Sequence, residues 1–484
     1  MATLEQYAQI VTSVATIAIV SRLLDSTDIG IGVIGLGIGM IAFTVREFAT
    51  SEYLIQRENI DAETVRTGFT LIFCLSFAIA CILCVFSGAI ARFYDHSQIE
   101  TFIWIMAVAG IIEAVSCPIA ALLRRDMDFG TLTRINTLAG LANTVTVVSI
   151  AWQGGGFMSF AWGMLAAAAL RGALSLHARP VAWMFRPHLA GSRAVFAFGT
   201  YKGASTVFDR LYEALPQLVL GHIMPFASVG IFNRANLVCG LPDKILLSAV
   251  FSVAFPAFSA QVREGRDVKA SYLRMISYLT VIYWPATLVL AVLAYPIVRI
   301  VLGADWLETV PIIQILACAA VFYFANILTF PVLMALGHNR DAFVSNFIGR
   351  GLSTMVIAAA SFHGLTVLAL SQFVTLPFQM YVSLHYVRRY LPFAWSEFFA
   401  ALYGSLAVTL LTVAGPLFVL ASNDFVSALS LFQSAVCCLL ALAGWIAGLI
   451  LVRHPFLDEA LLLAGDRLPL FRPLQSLSDQ KSQG

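Results

Sequence analysis

Fourteen stretches of this chain are apolar enough to lie in a lipid bilayer, and little else separates them. A helix needs about 20 predominantly apolar residues to cross the hydrocarbon core. Stretches near that length run over 4–22, 29–46, 67–91, 98–122, 132–152, 157–177, 200–221, 227–256, 275–300, 309–336, 343–361, 364–387, 398–420 and 426–451. The chain therefore reads as an all-α polytopic membrane protein of about 14 transmembrane helices. Composition agrees: only 12% of residues are charged and 60% are hydrophobic, where a soluble chain carries about 25% charged residues. No segment is long enough for a soluble catalytic domain, so the chain is not expected to be an enzyme. A net charge of +2 gives no reason to expect nucleic acid or another polyanion as partner. The first stretch has no basic leader and is followed at once by a second span, so it does not read as a cleaved signal peptide.

Charge then fixes the orientation. With the N-terminus in the cytoplasm, only Arg22, Arg92 and Arg299 of the 29 Lys and Arg fall at outer ends. Lys202, Arg210, Arg234 and Lys244 lie inside spans, and all the rest fall on the cytoplasmic side. Such a bias is the positive-inside signature, and it predicts that both termini are cytoplasmic. It also checks the span count, because one missed helix would invert every later loop.

The chain also repeats itself. Asp28-Ile29-Gly30-Ile31 reappears as Ser228-Val229-Gly230-Ile231. Gly156-Phe157-Met158-Ser159-Phe160-Ala161 lines up with Gly364-Leu365-Thr366-Val367-Leu368-Ala369, and Ile99-Glu100-Thr101 with Leu307-Glu308-Thr309. Each repeat holds six spans, an even number, so both halves enter the membrane from the same side. The expected architecture is two parallel six-helix lobes related by an axis along the membrane normal, a plan that many transporters share. The first lobe spans 1–178 and the second 200–390. A cytoplasmic linker, 179–199, joins them, two further helices occupy 391–452, and a cytoplasmic tail covers 453–484.

The eight cysteines all lie in apolar runs and read as small buried hydrophobes. Cys81 and Cys84 have metal-ligand spacing but neither a second pair nor a nearby His, so no metal and no cofactor is expected.

With these features in place the chain resembles a family, the Wzx-type polysaccharide flippases of the multidrug/oligosaccharidyl-lipid/polysaccharide exporter superfamily. The matching residues begin with Arg22-Leu23-Leu24, Asp28-Ile29-Gly30 and Glu52-Tyr53-Leu54-Ile55-Gln56-Arg57. They continue with Leu123-Arg124-Arg125-Asp126-Met127-Asp128-Phe129, then Val229-Gly230-Ile231-Phe232-Asn233-Arg234-Ala235 and Phe255-Pro256-Ala257-Phe258-Ser259. The last is Pro296-Ile297-Val298-Arg299-Ile300-Val301-Leu302-Gly303-Ala304-Asp305-Trp306. The resemblance covers roughly residues 1–390 and implies a MATE-like fold with two lobes around a cavity. It implies flipping of undecaprenyl-pyrophosphate-linked oligosaccharide units from the cytoplasmic to the outer face of the bacterial inner membrane by alternating access. The glycan would then enter O-antigen, capsule or exopolysaccharide, which brings a polysaccharide polymerase and chain-length proteins as partners, and H⁺ or Na⁺ as a coupling ion. Two other readings stay open: a lipid II-type peptidoglycan precursor flippase, and a cation-coupled multidrug exporter.

Charges inside spans are the candidate site, because ionisable groups in the bilayer normally face a bundle interior or water. Lys202, Thr206, Asp209, Glu213 and Gln217 share one helix face, with Arg210 beside it. Asn233, Asn236, Gly240 and Asp243 form a second stripe flanked by Arg234 and Lys244. Lys202, Arg210, Arg234 and Lys244, with Arg46, are the candidate cations for a pyrophosphate, whose oxygens suit arginine forks. Arg210 is one turn from Glu213 and either meets substrate or is neutralised by that acid; Arg234 has no acid on its own helix face. Asp209, Glu213, Asp243 and Glu113 are the candidate ion-coupling residues. Glu113, alone in an apolar helix beside Ser116 and Pro118, is either a protonation site or a hydrogen-bonded structural acid. The glycines of the second span, Gly32, Gly35, Gly37 and Gly39, predict close helix packing.

Overall fold

The computed structural model describes residues 14–46, 61–190, 192–244, 257–265, 267–423 and 428–459. Every regular element among them is helical. The helices are α1 (Val14–Leu23), α2 (Ser26–Thr44), α3 (Ala62–Phe93), α4 (Gln98–Arg125), α5 (Phe129–Trp152), α6 (Met158–Ala178), α7 (Ser192–Ile223) and α8 (Phe226–Cys239). They continue as α9 (Val268–Val292), α10 (Thr309–Ala320), α11 (Phe324–Ala335), α12 (Asn339–Ser361), α13 (Leu365–Tyr390), α14 (Trp395–Ala421) and α15 (Leu431–Val452). Each of the fourteen expected spans overlaps one of these, with α10 and α11 sharing a single span. Ten helices are long and apolar enough to cross a membrane, and the α10–α11 pair, bent by 46°, makes an eleventh. The chain is a multi-pass, all-α membrane protein. The first residues of span 4–22, the end of span 227–256 and the tail beyond 459 lie outside the described residues.

Local sequence explains where the helices begin. Asp25 accepts from the Asp28 amide at 2.7 Å, Asp61 from Thr64 at 2.9 Å and Asp128 from Thr131 at 3.1 Å, each satisfying an orphan donor of a first turn. Ser430 and Gln433 cap α15 reciprocally. Gly156 (φ +53°) and Gly364 (φ +104°) precede α6 and α13 in a left-handed backbone that glycine tolerates. These two are the glycines that the internal repeat pairs.

The chain divides into two compact units. The first comprises Met1–Asn233 with Val301–Asp305, the second Arg234–Ile300 with Trp306–Gly484. In the first, α2 packs through its glycines. A Cβ on Gly35 would stand 2.4 Å from Phe102, on Gly39 2.2 Å from Met106 and on Gly32 2.4 Å from Phe160. The small-residue stripe thus lets α4 and α6 approach the α2 backbone. α2 also crosses the start of α8, and there the repeat becomes a contact. A Cβ on Gly30 would lie 1.9 Å from the Phe226 carbonyl oxygen, and one on Gly230 would lie 2.1 Å from that of Ser26. The partners exchange as in an isologous interface: 26 and 30 on one helix meet 226 and 230 on the other.

The segment after α6 is docked rather than free. Val181 and Met184 are buried among Phe69, Leu122 and Ile135. Arg66 on α3 donates to the carbonyls of Arg186 (2.9 Å) and Pro187 (3.3 Å). Thr67 contacts the Ala190 carbonyl and the His188 ring, both at 2.9 Å, and Arg179 pairs with Asp126. In the second unit, α9 packs against α14, and α14 against α15. The α10–α11 bend leaves the Val321 carbonyl without a helical partner, and the Trp284 indole donates to it at 2.8 Å.

One expectation fails. Cys74, Cys81, Cys84 and Cys438 are exposed, and among the eight only Cys437 is buried. In a bundle surrounded by lipid the outer face is as apolar as the core, so an apolar run does not tell inside from outside.

Candidate functional site

In the first unit three helices bring charges together. Arg46 follows the end of α2, Glu113 lies on α4 and Arg171 on α6. Arg171 Nη1 donates to Glu113 Oε1 at 2.6 Å, and Arg46 Nη2 stands 3.6 Å from Oε2. Glu113 is therefore not alone in its helix: it sits between two guanidinium groups, about 18 Å from the Arg125 end of α4 at about 1.5 Å per residue. The cluster is partly shielded, with side-chain exposures of 19%, 28% and 31% for Arg46, Glu113 and Arg171. Two cations share one carboxylate, so it carries one excess positive charge.

The second unit holds an arginine of a different kind. Arg234, on α8, is 5% exposed. Its guanidinium carbon lies 5.8 Å from the centre of the Trp306 ring. Among the described residues it makes no ion pair, and its Nε has no hydrogen-bond partner. Magnitudes decide what this means. Stripping water from a guanidinium costs several kcal/mol even after relaxation, whereas a desolvated cation–π contact returns about 2 kcal/mol. Trp306 positions the cation but does not neutralise it.

The other candidates are placed differently. Arg210 donates to Glu213 at 2.8 Å, and both side chains are about half exposed, 47% and 50%. Lys244 is exposed. The side chains of Lys202 and Asp209 lie outside the described residues. Asp243, half-buried, interacts with the Tyr283 hydroxyl, while its Oδ1 has no hydrogen-bond partner among the described residues. So Arg46 joins Glu113, and Arg210 joins Glu213.

Three residues escaped the sequence reading: Arg171, Trp306 and Tyr283. Arg171 falls inside the span expected over 157–177 but near enough to its end to count as a cytoplasmic charge. Trp306 sits in one of the motifs that carry the family resemblance, as Arg234 does, but nothing in their spacing joins them. Tyr283 had no signal among many span aromatics.

The profile of the family described as "Polysaccharide biosynthesis protein" matches residues 19–311. The lipopolysaccharide biosynthesis protein WzxC of Escherichia coli (strain K12) is 26% identical over 305 residues, covering 62% of this chain and 61% of that protein. The chain spans about 60% of the length of the curated relatives it matches first. Among solved structures, the lipid II flippase MurJ in an inward closed conformation aligns with a TM-score of 0.74 at 12% identity, over 93% of this chain and 98% of that one. An inward-facing multidrug resistance MATE family transporter aligns at 0.63 and 13% identity, over 79% of this chain and 94% of that one. At such identities the likeness is one of fold, and the fold is MATE-like.

Proposed function

The chain belongs to the polysaccharide biosynthesis protein family, and on that premise we propose that it is a transporter that flips lipid-linked oligosaccharides. Its cargo is a polyprenyl-pyrophosphate-linked repeat unit, taken from the cytoplasmic to the outer face of the bacterial inner membrane. Both termini are cytoplasmic in this reading. The lobes 1–178 and 200–390 alternate access to the cargo, with 179–199 as linker and the helices of 391–452 beside them. The observation that carries the reading is Arg234: a buried cation on an aromatic platform, with no ion pair among the described residues, suits a pyrophosphate or an acidic sugar. The Arg46–Glu113–Arg171 cluster, with its excess positive charge, is a second station for the same group. Glu113 and Asp243 are the acids best placed to take a coupling H⁺ or Na⁺. The product passes to a polymerase at the outer face.

Depletion in the parent cell tests this. Lipid-linked repeat units should accumulate inside while surface polysaccharide disappears and murein synthesis continues. Accumulation of lipid II with cell lysis would assign the chain to peptidoglycan precursors instead. Drug sensitivity with normal polysaccharide would assign it to multidrug export.

A further inference from the structure

Two cavities in the second unit meet at one side chain. The first opens where α9 and α14 begin and α15 ends, and holds about 470 Å³. Its polar lining is Arg274, Ser277, Glu397, Tyr403 and His454. The second, also about 470 Å³, is lined almost wholly by apolar groups, among them Trp284, Phe322, Phe399, Leu402 and Leu406, and it too includes Tyr403. Both volumes lie within the range of about 300–1,000 Å³ usual for small-ligand sites.

The polar cavity sits at helix ends, and the ends of helices long enough to span a bilayer fall near its head groups. The apolar one runs deeper along α9 and α14. Phe399, Tyr403 and Leu406 on α14 are 63%, 73% and 48% exposed, so the groove opens outward to the bilayer. Polar mouth and apolar groove together have the build of a membrane lipid.

We propose that this pair of cavities seats one bilayer glycerophospholipid with a zwitterionic phosphoethanolamine head, separate from any transported lipid. Charge argues for the zwitterion. Arg274 is exposed and makes no ion pair among the described residues, leaving it to a phosphate. Glu397 is held by Lys269 at 2.8 Å and by the Ala394 amide at 2.7 Å. Glu459 accepts from the Tyr278 hydroxyl at 3.3 Å, beside Asp458. Glu397 is the acid in the lining, so an anionic head group would set its charge beside it, whereas an ammonium is welcome there. His454 adds no charge: its Nδ1 accepts from the Phe456 amide at 3.2 Å while Nε2 meets Ser277 at 2.9 Å, which fits a neutral ring. One of its two acyl chains lies in the groove behind the α10–α11 bend.

Native mass spectrometry of the whole protein, released from nanodiscs containing equal phosphatidylethanolamine and phosphatidylglycerol, tests the assignment. One phosphatidylethanolamine should remain bound per chain. Arg274→Ala, which removes the phosphate contact, should cut its retention about tenfold or more, since a hydrogen bond to a charged group is worth about 1.5–3 kcal/mol. Leu406→Trp fills the groove from an exposed position and should do the same without touching the mouth. Either variant decides alone if the other is poorly behaved. Equal retention of phosphatidylglycerol, undiminished retention in the variants, or a polyprenyl lipid in the seat would overturn the proposal.

Discussion

Arg171 and Arg234 are both arginines that a helix carries into the bundle, and the molecule treats them in opposite ways. Arg171 shares Glu113 with Arg46 in a partly exposed cluster. Arg234 is buried against Trp306 and makes no ion pair among the described residues. A carboxylate–guanidinium cluster is self-sufficient and stabilises three helices whether or not a ligand arrives. A buried cation without a counter-ion is a standing cost, kept only where something pays it back. His454 shows a third solution. Fully buried between Ser277 and Ser405 and just past the end of α15, it avoids the cost by staying uncharged, and burial pushes its pKa below the ordinary histidine value.

The contrast predicts that the two arginines fail differently. The largest effect is expected at Arg234. Removing one partner of a buried charge contact costs about 2–5 kcal/mol, so Arg234→Ala should slow transport by roughly 30-fold to 4,000-fold. Protein level should hold, because no acid is orphaned. Membrane protein by immunoblot and surface polysaccharide by gel separate the two; loss of the protein itself would make Arg234 a structural residue. Next comes Glu113→Ala, which leaves two cations facing each other. It should lower stability by up to about 3 kcal/mol, the lower range for breaking a buried pair, as the cluster is partly solvated. Thermal melting in detergent reads this, and adding Arg171→Ala should restore part of the loss. An additive double mutant would dissolve the cluster.

Smaller still is the effect of acid on His454. Its folded pKa lies below its unfolded one, so the folded state binds fewer protons. That contribution is complete above about pH 6.5 and is lost as pH falls below the unfolded value towards the folded one. Melting should fall between pH 7 and 5.5 and flatten in His454→Gln; an identical slope in that variant would remove His454 as the cause. Arg210→Ala should matter least. Its pair with Glu213 is half exposed, and such pairs are worth about 0–1 kcal/mol. Transport within about twofold of the parent is expected, and a loss matching that of Arg234→Ala would erase the distinction.

How much of this was legible depends on the range of the interaction. The spans and the repeated glycines Gly156 and Gly364 are local features, and the apolar runs and the internal repeat report them directly. The Arg210–Glu213 pair was legible for the same reason, being one helical turn apart. Arg46, Glu113 and Arg171 meet from three helices, and Arg234 meets Trp306 across 72 residues. No spacing rule reaches that far. The lipid-facing cysteines were misjudged for another reason: the solvent around the bundle is itself apolar, so hydrophobicity carries no inside-versus-outside information.

If an anion of the cargo completes Arg234, direct binding will show it. A short-chain polyprenyl diphosphate should be titrated onto the protein in nanodiscs, for the parent, Arg234→Ala, Arg234→Lys and Arg210→Ala. Affinity should weaken at least about 30-fold in Arg234→Ala, recover in part in Arg234→Lys because charge returns without the fork, and stay unchanged in Arg210→Ala. Equal affinity in the parent and in a folded Arg234→Ala protein would contradict it.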